Sequence, residues 1–278
     1  MKRFIADSIQ VVDLISWLLT ALFFCGAAYI FDGDMLASLW GALAVVFIMF
    51  LVGSSIEIMI ETMKNTPGIG TLTGFLTNGP EALVVIVGLV TGDILFASST
   101  PLGSNYMNPI LLIIAALLLG RIGMVFRVAP IYFSITMLVT ICLAGGFYLI
   151  EADQYWLWVL ILIPVSSLLF YKRPPEQDGE EEQDIAVAKW WLWPSLLVLV
   201  ASGYYLDPVV AYASDASHVP KGVIGFVVLS ILTSWPEFKS VLALLRRDLA
   251  LAAVLNIVVS NITNLWLASG GVVLYLLM

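Results

Sequence analysis

Two glutamates, Glu81 and Glu237, stand inside strongly apolar stretches, each directly after a proline. Each comes with the same small set of neutral oxygens. Thr77 and Asn78 precede Glu81, and Ser104 and Asn108 follow it; Thr233 and Ser234 precede Glu237, and Ser260 and Asn264 follow it. Carboxylates with hydroxyl and amide oxygens, and neither His nor Cys, form a donor set for hard cations such as Ca2+ or Na+ rather than for Zn2+ or Cu+. Thr77 and Glu81, Ser104 and Asn108, Thr233 and Glu237, and Ser260 and Asn264 are each spaced i,i+4, so each pair shares one helix face. A proline inside a helix loses its own N–H and crowds the carbonyl four residues back, so Pro80 frees the carbonyl of Leu76 and Pro236 that of Leu232. Freed carbonyls at membrane depth need protein, a water-filled cavity or a bound cation to satisfy them. A carboxylate at mid-membrane is costly and marks a pathway or a relay.

The two sets keep one register. Glu237 follows Glu81 by 156 positions (237 − 81), and the proline, threonine, serine and asparagine partners recur at the same offset. That spacing defines an internal duplication, with copies at 72–109 and 228–265.

The elements that must position these residues are membrane helices. The chain has 278 residues, is 61% hydrophobic and only 12% charged, with a mean hydropathy of +1.01; soluble domains are roughly 45–50% apolar and 25% charged. Apolar stretches near the roughly 20 residues that cross a bilayer fall near 9–31, 36–60, 70–91, 94–119, 126–149, 155–171, 189–206, 221–245 and 249–276. The expected fold is therefore all-α and polytopic, with about nine transmembrane helices. Asp7, Asp13 and the length of the first stretch favour a retained anchor over a cleaved signal peptide. Residues 1–171 and 189–278 form two halves around an acidic linker, 172–188, that holds six acids between Glu176 and Asp184 and reads as a solvated cytoplasmic hinge.

With a cytoplasmic N-terminus, Lys2, Arg3, Lys64, Arg121, Arg127, Lys172, Arg173, Lys189, Arg246 and Arg247 all face inside, against Lys221 alone outside. Nine crossings then put the C-terminus outside, in a plasma (inner) membrane, and the outer loops carry Asp32, Asp34, Asp93, Glu151, Asp153, Asp207, Asp215 and His218. Segment three, with Glu81, runs outward and segment eight, with Glu237, runs inward, so the repeats are inverted, a construction of many secondary transporters. Trp40, Trp156, Trp158, Tyr171, Trp190, Trp191, Trp193, Tyr204 and Tyr205 sit at expected helix ends as interface anchors. The net charge of −8 includes no basic surface for nucleic acid, and Cys25 and Cys142 lack ligand spacing and read as packing residues. Glu57 and Glu61, near a cytoplasmic helix end, read as solvated. Nothing in the chain fixes an oligomeric state.

These residues resemble the alpha-repeats of the cation/calcium exchanger superfamily, which includes the sodium/calcium exchangers. The pattern is Gly-Thr-Ser-x-Pro-Glu, followed 23 residues after the glutamate by the Ser of Gly-Ser-Asn-x-x-Asn or -Asp; Glu81 to Ser104 and Glu237 to Ser260 both keep that spacing (104 − 81 and 260 − 237). The resemblance implies a non-enzymatic antiporter without cofactor that exchanges Ca2+ for Na+ by alternating access, peripheral helices sliding over a core of the two repeats. It implies central coordination by Glu81 and Glu237, backbone carbonyls from Thr77 and Thr233, and side-chain ligands from Ser104, Asn108, Ser234, Ser260 and Asn264. The sequence departs from the pattern at Leu76 and Leu232, in place of the glycine before the threonine, and at Asn78 and Val259. An extra helix precedes the family's first, and the chain ends directly after the second repeat.

Other readings start from the same residues. The two carboxylates would also serve cation exchange against H+. Lys239 could activate Ser104 or Ser260 in a membrane enzyme, or the chain could be a non-transporting scaffold. At 100° per residue, however, Lys239 leaves its helix about 200° from Glu237. The geometry thus favours a lysine that misses the ion and snorkels toward the cytoplasmic end at Arg246.

Overall fold

The computed structural model describes residues 9–91, 94–176, 187–219 and 230–277, which are helical almost throughout and contain no strand. The helices are α1 Val11–Ile30, α2 Met35–Met63, α3 Ile69–Leu76, α4 Gly79–Thr91, α5 Ile94–Leu118, the short α6 Ile122–Val125, α7 Pro130–Phe147, α8 Tyr155–Tyr171, α9 Leu192–Ser217, α10 Ser230–Thr233, α11 Trp235–Arg246 and α12 Ala250–Leu277. Eight stretches among the described residues are long and apolar enough to cross a bilayer, α3 and α4 counting as one. They coincide with the first seven expected spans and the ninth. The eighth is described from α10 onward; its start, including Lys221, lies outside the described residues, as do Lys2, Arg3, Asp7, Asp93 and the linker acids from Asp178 to Asp184.

Helix ends follow local chemistry. Asp34 caps α2 by accepting from the backbone N–H of Leu36 and Ala37 at 2.9 and 3.0 Å, and Pro130 opens α7 where a missing N–H costs nothing. The seventh span is longer than its hydropathy indicates. It runs through Pro208 to Ser217 and stops only where His218 turns left-handed (φ 53) and returns its N–H to Asp215. Asp207 and Asp215 are therefore positions on a helix and not in an outer loop.

Two sets of helices pack together. α2 lies along α9, and both touch α1. α12 is the central helix of the other set and packs on α3, α4, α5, α7, α8 and α11. The approach of α3 to α12 is backbone to backbone: a Cβ on Gly70 would fall 2.3 Å from the Ala252 carbonyl oxygen, and one on Gly74 2.6 Å from that of Asn256. Two glycines one turn apart remove the side chains that would hold these helices apart. Phe75, Phe170 and Trp266 then fasten α3, α8 and α12 ring to ring.

Three polar or aromatic expectations need correction. Glu57 and Glu61 are buried, not solvated. The end of α11 folds over α2, so that Arg246 pairs with Glu57 at 2.5 Å and Arg247 with Glu61 at 3.4 Å, while Lys64 adds a 2.8 Å contact to Glu61. Trp158 is buried and donates its indole N–H to the Leu143 carbonyl at 2.8 Å, so it packs helices and does not anchor an interface. Glu176, at the head of the acidic linker, accepts from the N–H of Gly70 and Thr71 and from the Thr71 hydroxyl, at 2.7 to 2.8 Å, and so caps α3.

Candidate cation-binding site

The helix breaks fall where the prolines put them. α3 stops at Leu76, Thr77 and Asn78 form a turn, and α4 restarts at Gly79 with Pro80 and Glu81 in its first turn. The second copy repeats this: α10 stops at Thr233, Ser234 is the N-cap, and α11 restarts at Trp235 with Pro236 and Glu237 in its first turn. Each carboxylate thus stands at the positive end of a half-helix, while Thr77 and Thr233 close the preceding half-helix, whose last carbonyls carry partial negative charge.

Both breaks open onto one narrow cavity. Its wall includes Pro80 and Glu81 from the first copy, Thr233 and Pro236 from the second, Thr100 of α5, Val52 of α2, and Gly203 and Leu206 of α9. About 20 Å³ is open to the centre of a water-sized sphere, enough for one water or one stripped ion. The cavity therefore lies where the α2–α9 pair meets the repeats.

Asn78, Asn108, Ser260 and Glu237 form one hydrogen-bonded cluster. The Ser260 hydroxyl donates to Asn78 Oδ1 at 2.8 Å and lies 3.2 Å from Glu237 Oε1; Asn78 Nδ2 donates to the Ser260 carbonyl at 2.9 Å, and Asn108 Nδ2 to Ser260 Oγ at 3.1 Å. Glu81 lies within electrostatic reach of Glu237 and faces Ser104, whose hydroxyl is bonded to the Thr100 carbonyl at 3.3 Å. Thr77 faces Glu237. Thr233 lines the cavity, and Ser234 and Asn264 are buried, but neither is tied to the cluster by a hydrogen bond.

The acceptors left over are the informative part. Both oxygens of Glu81, Oε2 of Glu237, Oδ1 of Asn108 and Asn264, and the hydroxyls of Thr77 and Ser234 are buried without a hydrogen-bond partner. Buried polar atoms in folded proteins are nearly always paired. Among the described residues, no lysine or arginine forms an ion pair with either carboxylate, and no group of three or more His, Cys, Asp or Glu side chains occurs. What remains is a pair of carboxyl groups ringed by neutral oxygens, a donor set of the kind that replaces the hydration shell of a hard cation.

Known proteins share this fold and part of this sequence. The crystal structure of the H+/Ca2+ exchanger CAX superposes with a TM-score of 0.53 at 11% identity, covering 96% of this chain and 75% of that one. The "Putative antiporter CaxA" of Alkalimonas amylolytica is 30% identical over 217 residues, 70% of this chain and 65% of the relative's length. Residues 187–277, which contain the whole second Pro-Glu element and its Ser-Asn partner, match the family described as "Sodium/calcium exchanger protein". Residues 187–277 thus carry the sequence of that exchanger family, and the chain shares the fold of a solved cation exchanger.

Within this exchanger architecture, some polar residues escaped the sequence reading. Asn105 and Asn261 sit beside the cluster and exchange bonds, each donating its amide N–H to the other's backbone carbonyl at 3.2 and 3.1 Å. Both belong to the Ser-Asn motif and are themselves 156 positions apart, so the signal for them was present. Ser240 and Asn256 bond each other at 2.7 Å one turn beyond Glu237; their first-copy counterparts are Val84 and Thr100, so no repeat pointed to them. Lys239 misses the cavity, as the helical angle requires, but it does not snorkel. Its Nζ bonds both carboxylate oxygens of Asp13 at 2.8 Å. A Ser–Lys dyad with Ser104 or Ser260 is therefore not formed.

Proposed function

We propose that the chain is a secondary cation antiporter that exchanges Ca2+ for Na+ by alternating access, with the cation held between Glu81 and Glu237 and completed by Thr77, Asn78, Ser104, Asn108, Thr233, Ser234, Ser260 and Asn264. The observation that carries this reading is the group of unpartnered buried oxygens around two carboxylates that pair with no basic side chain among the described residues. Two such charges in a dry pocket require compensating positive charge, and a divalent cation supplies it in one step. Alternating access is supported by the cavity's place between the α2–α9 pair and the repeats, because relative sliding of the two would alter its walls. Inverted repeats are supported by the reciprocal Asn105–Asn261 bonds, which a two-fold relation between the copies produces. The distribution of lysine and arginine supports a cytoplasmic N-terminus in a plasma membrane.

Coupling to H+ is the second reading, because two protons compensate two carboxylates as well as two Na+ ions do, and the likeness to the CAX exchanger points the same way. The test is 45Ca2+ uptake into proteoliposomes. Uptake should follow an outward Na+ gradient and vanish in Glu81→Gln and Glu237→Gln, which keep side-chain size and remove the charge. Uptake that follows only a pH gradient would establish the second reading. Either glutamine variant working at the parent rate would overturn the site.

A further inference from the structure

Lys239 is the charged side chain of α11 that antiport leaves without a task. It is buried, lies two residues after Glu237, and its stem runs past Gly53 of α2, where a Cβ would come within 3.2 Å of Cε. Asp13 meets it in a dry contact, with side-chain exposures of 2% for the lysine and 6% for the aspartate. Asp13 is itself fixed, since it also accepts the backbone N–H of Gln10 at 2.9 Å in the capping box of α1. A buried ion pair is seldom worth more to stability than two apolar side chains of the same shape, so folding alone gives little reason for a lysine here. An ammonium beside a cation site, on the other hand, changes what that site can hold unless a neighbour cancels it.

We propose that Asp13 is a charge-setting residue of the cation site: by neutralising Lys239 it leaves the site with the charge of Glu81 and Glu237 alone. The first helix then supplies part of the ion chemistry and is more than a membrane anchor. This inference rests on the antiport reading and deepens it.

The experiment is equilibrium 45Ca2+ binding to the full-length protein in detergent, for the parent, Asp13→Asn, Lys239→Met and the double variant, with thermal unfolding measured on each. A charge device gives opposite signs. Asp13→Asn uncovers the ammonium and should weaken Ca2+ binding by about tenfold or more, the scale expected of a unit charge acting on a divalent ion across a poorly screened protein interior. Lys239→Met should leave the affinity at the parent value or raise it, and the double variant should return it to within about threefold of the parent. A mechanical strut gives one sign: both single variants and the double bind more weakly, and that pattern overturns the proposal, as does Asp13→Asn binding like the parent. If Asp13→Asn fails to fold, Lys239→Met and the double variant still decide, because a strut predicts that both lose affinity. A parent that binds no 45Ca2+ defeats the antiport reading itself. In that case the pairing is still tested by whether Lys239→Met suppresses the thermal destabilisation caused by Asp13→Asn.

Discussion

Replacing Gly74 by alanine adds one methyl group where α3 meets α12. That carbon would lie 2.6 Å from the Asn256 carbonyl oxygen, 2.9 Å from the Val259 Cβ and 3.2 Å from the Ser260 backbone N. Ordinary contact needs about 3.5 Å or more, so α3 must retreat by about 1 Å. The Asn78–Ser260 bonds, now 2.9 and 2.8 Å, would stretch beyond useful hydrogen-bond length. Overpacking costs about 1–3 kcal/mol, and two interhelical bonds in a membrane add about 0.6 kcal/mol each. Alanine's better helix propensity returns up to about 1 kcal/mol. The net expectation is a loss of about 1–3 kcal/mol in stability, together with weaker 45Ca2+ binding, because Asn78 and Ser260 both flank Glu237. Gly270→Ala is the control, since its added Cβ meets nothing within 4 Å and should be neutral or mildly stabilising. Both would be measured by detergent-titrated unfolding followed through tryptophan fluorescence. A Gly74→Ala protein as stable as Gly270→Ala, with parental Ca2+ affinity, would refute the claim that this backbone contact holds the cluster.

Asn261→Ala should destabilise more than Asn105→Ala, by about 1 kcal/mol in the same unfolding assay, because Asn261 also bonds Thr140 at 3.3 Å and accepts from Asn108 at 2.9 Å; equal losses would contradict this. Arg246→Met should cost about 1–2 kcal/mol, below the range for a fully buried pair because the arginine is partly exposed while Glu57 is not, and Glu57→Gln in the same chain should recover part of it. Glu176→Gln removes a charged cap from α3 and should lower stability by about 1 kcal/mol, with an unchanged unfolding midpoint counting against the capping role.

Legibility from sequence tracked how local the determining physics is. Proline acts within four residues, so the breaks before Glu81 and Glu237 could be placed from the chain alone, and the helical angle alone was enough to turn Lys239 away from the cavity. The partner of Lys239 could not be read, because Asp13 lies 226 positions away and a lysine near a cytoplasmic end reads equally well as snorkelling. Glu57 and Glu61 were misread for the same reason: helix position gave them access to water, whereas the arginines that cover them arrive from a distant segment. Hydropathy ended α9 too early because it registers Asp207 and Pro208 as polar and helix-breaking, while the backbone stops only at the left-handed His218. The candidate residues were legible because they recur in both copies, whereas the Ser240–Asn256 bond one turn beyond Glu237 was not, because its residues occur in one.

The Asn105–Asn261 exchange carries a consequence for how such a chain diverges. At that point each copy of the repeat touches its own counterpart, so a change in one asparagine removes its bond to the partner's backbone while the partner's bond to its own backbone stays, and the exchange becomes one-sided. Positions away from the contact face different neighbours in the two halves and are free to specialise: Lys239 stands opposite Leu83 in the alignment of the copies, Trp235 opposite Gly79, and Val259 opposite Gly103. A duplicated chain of this kind is free to specialise where its copies face different neighbours, and is held to one residue type where a copy meets itself.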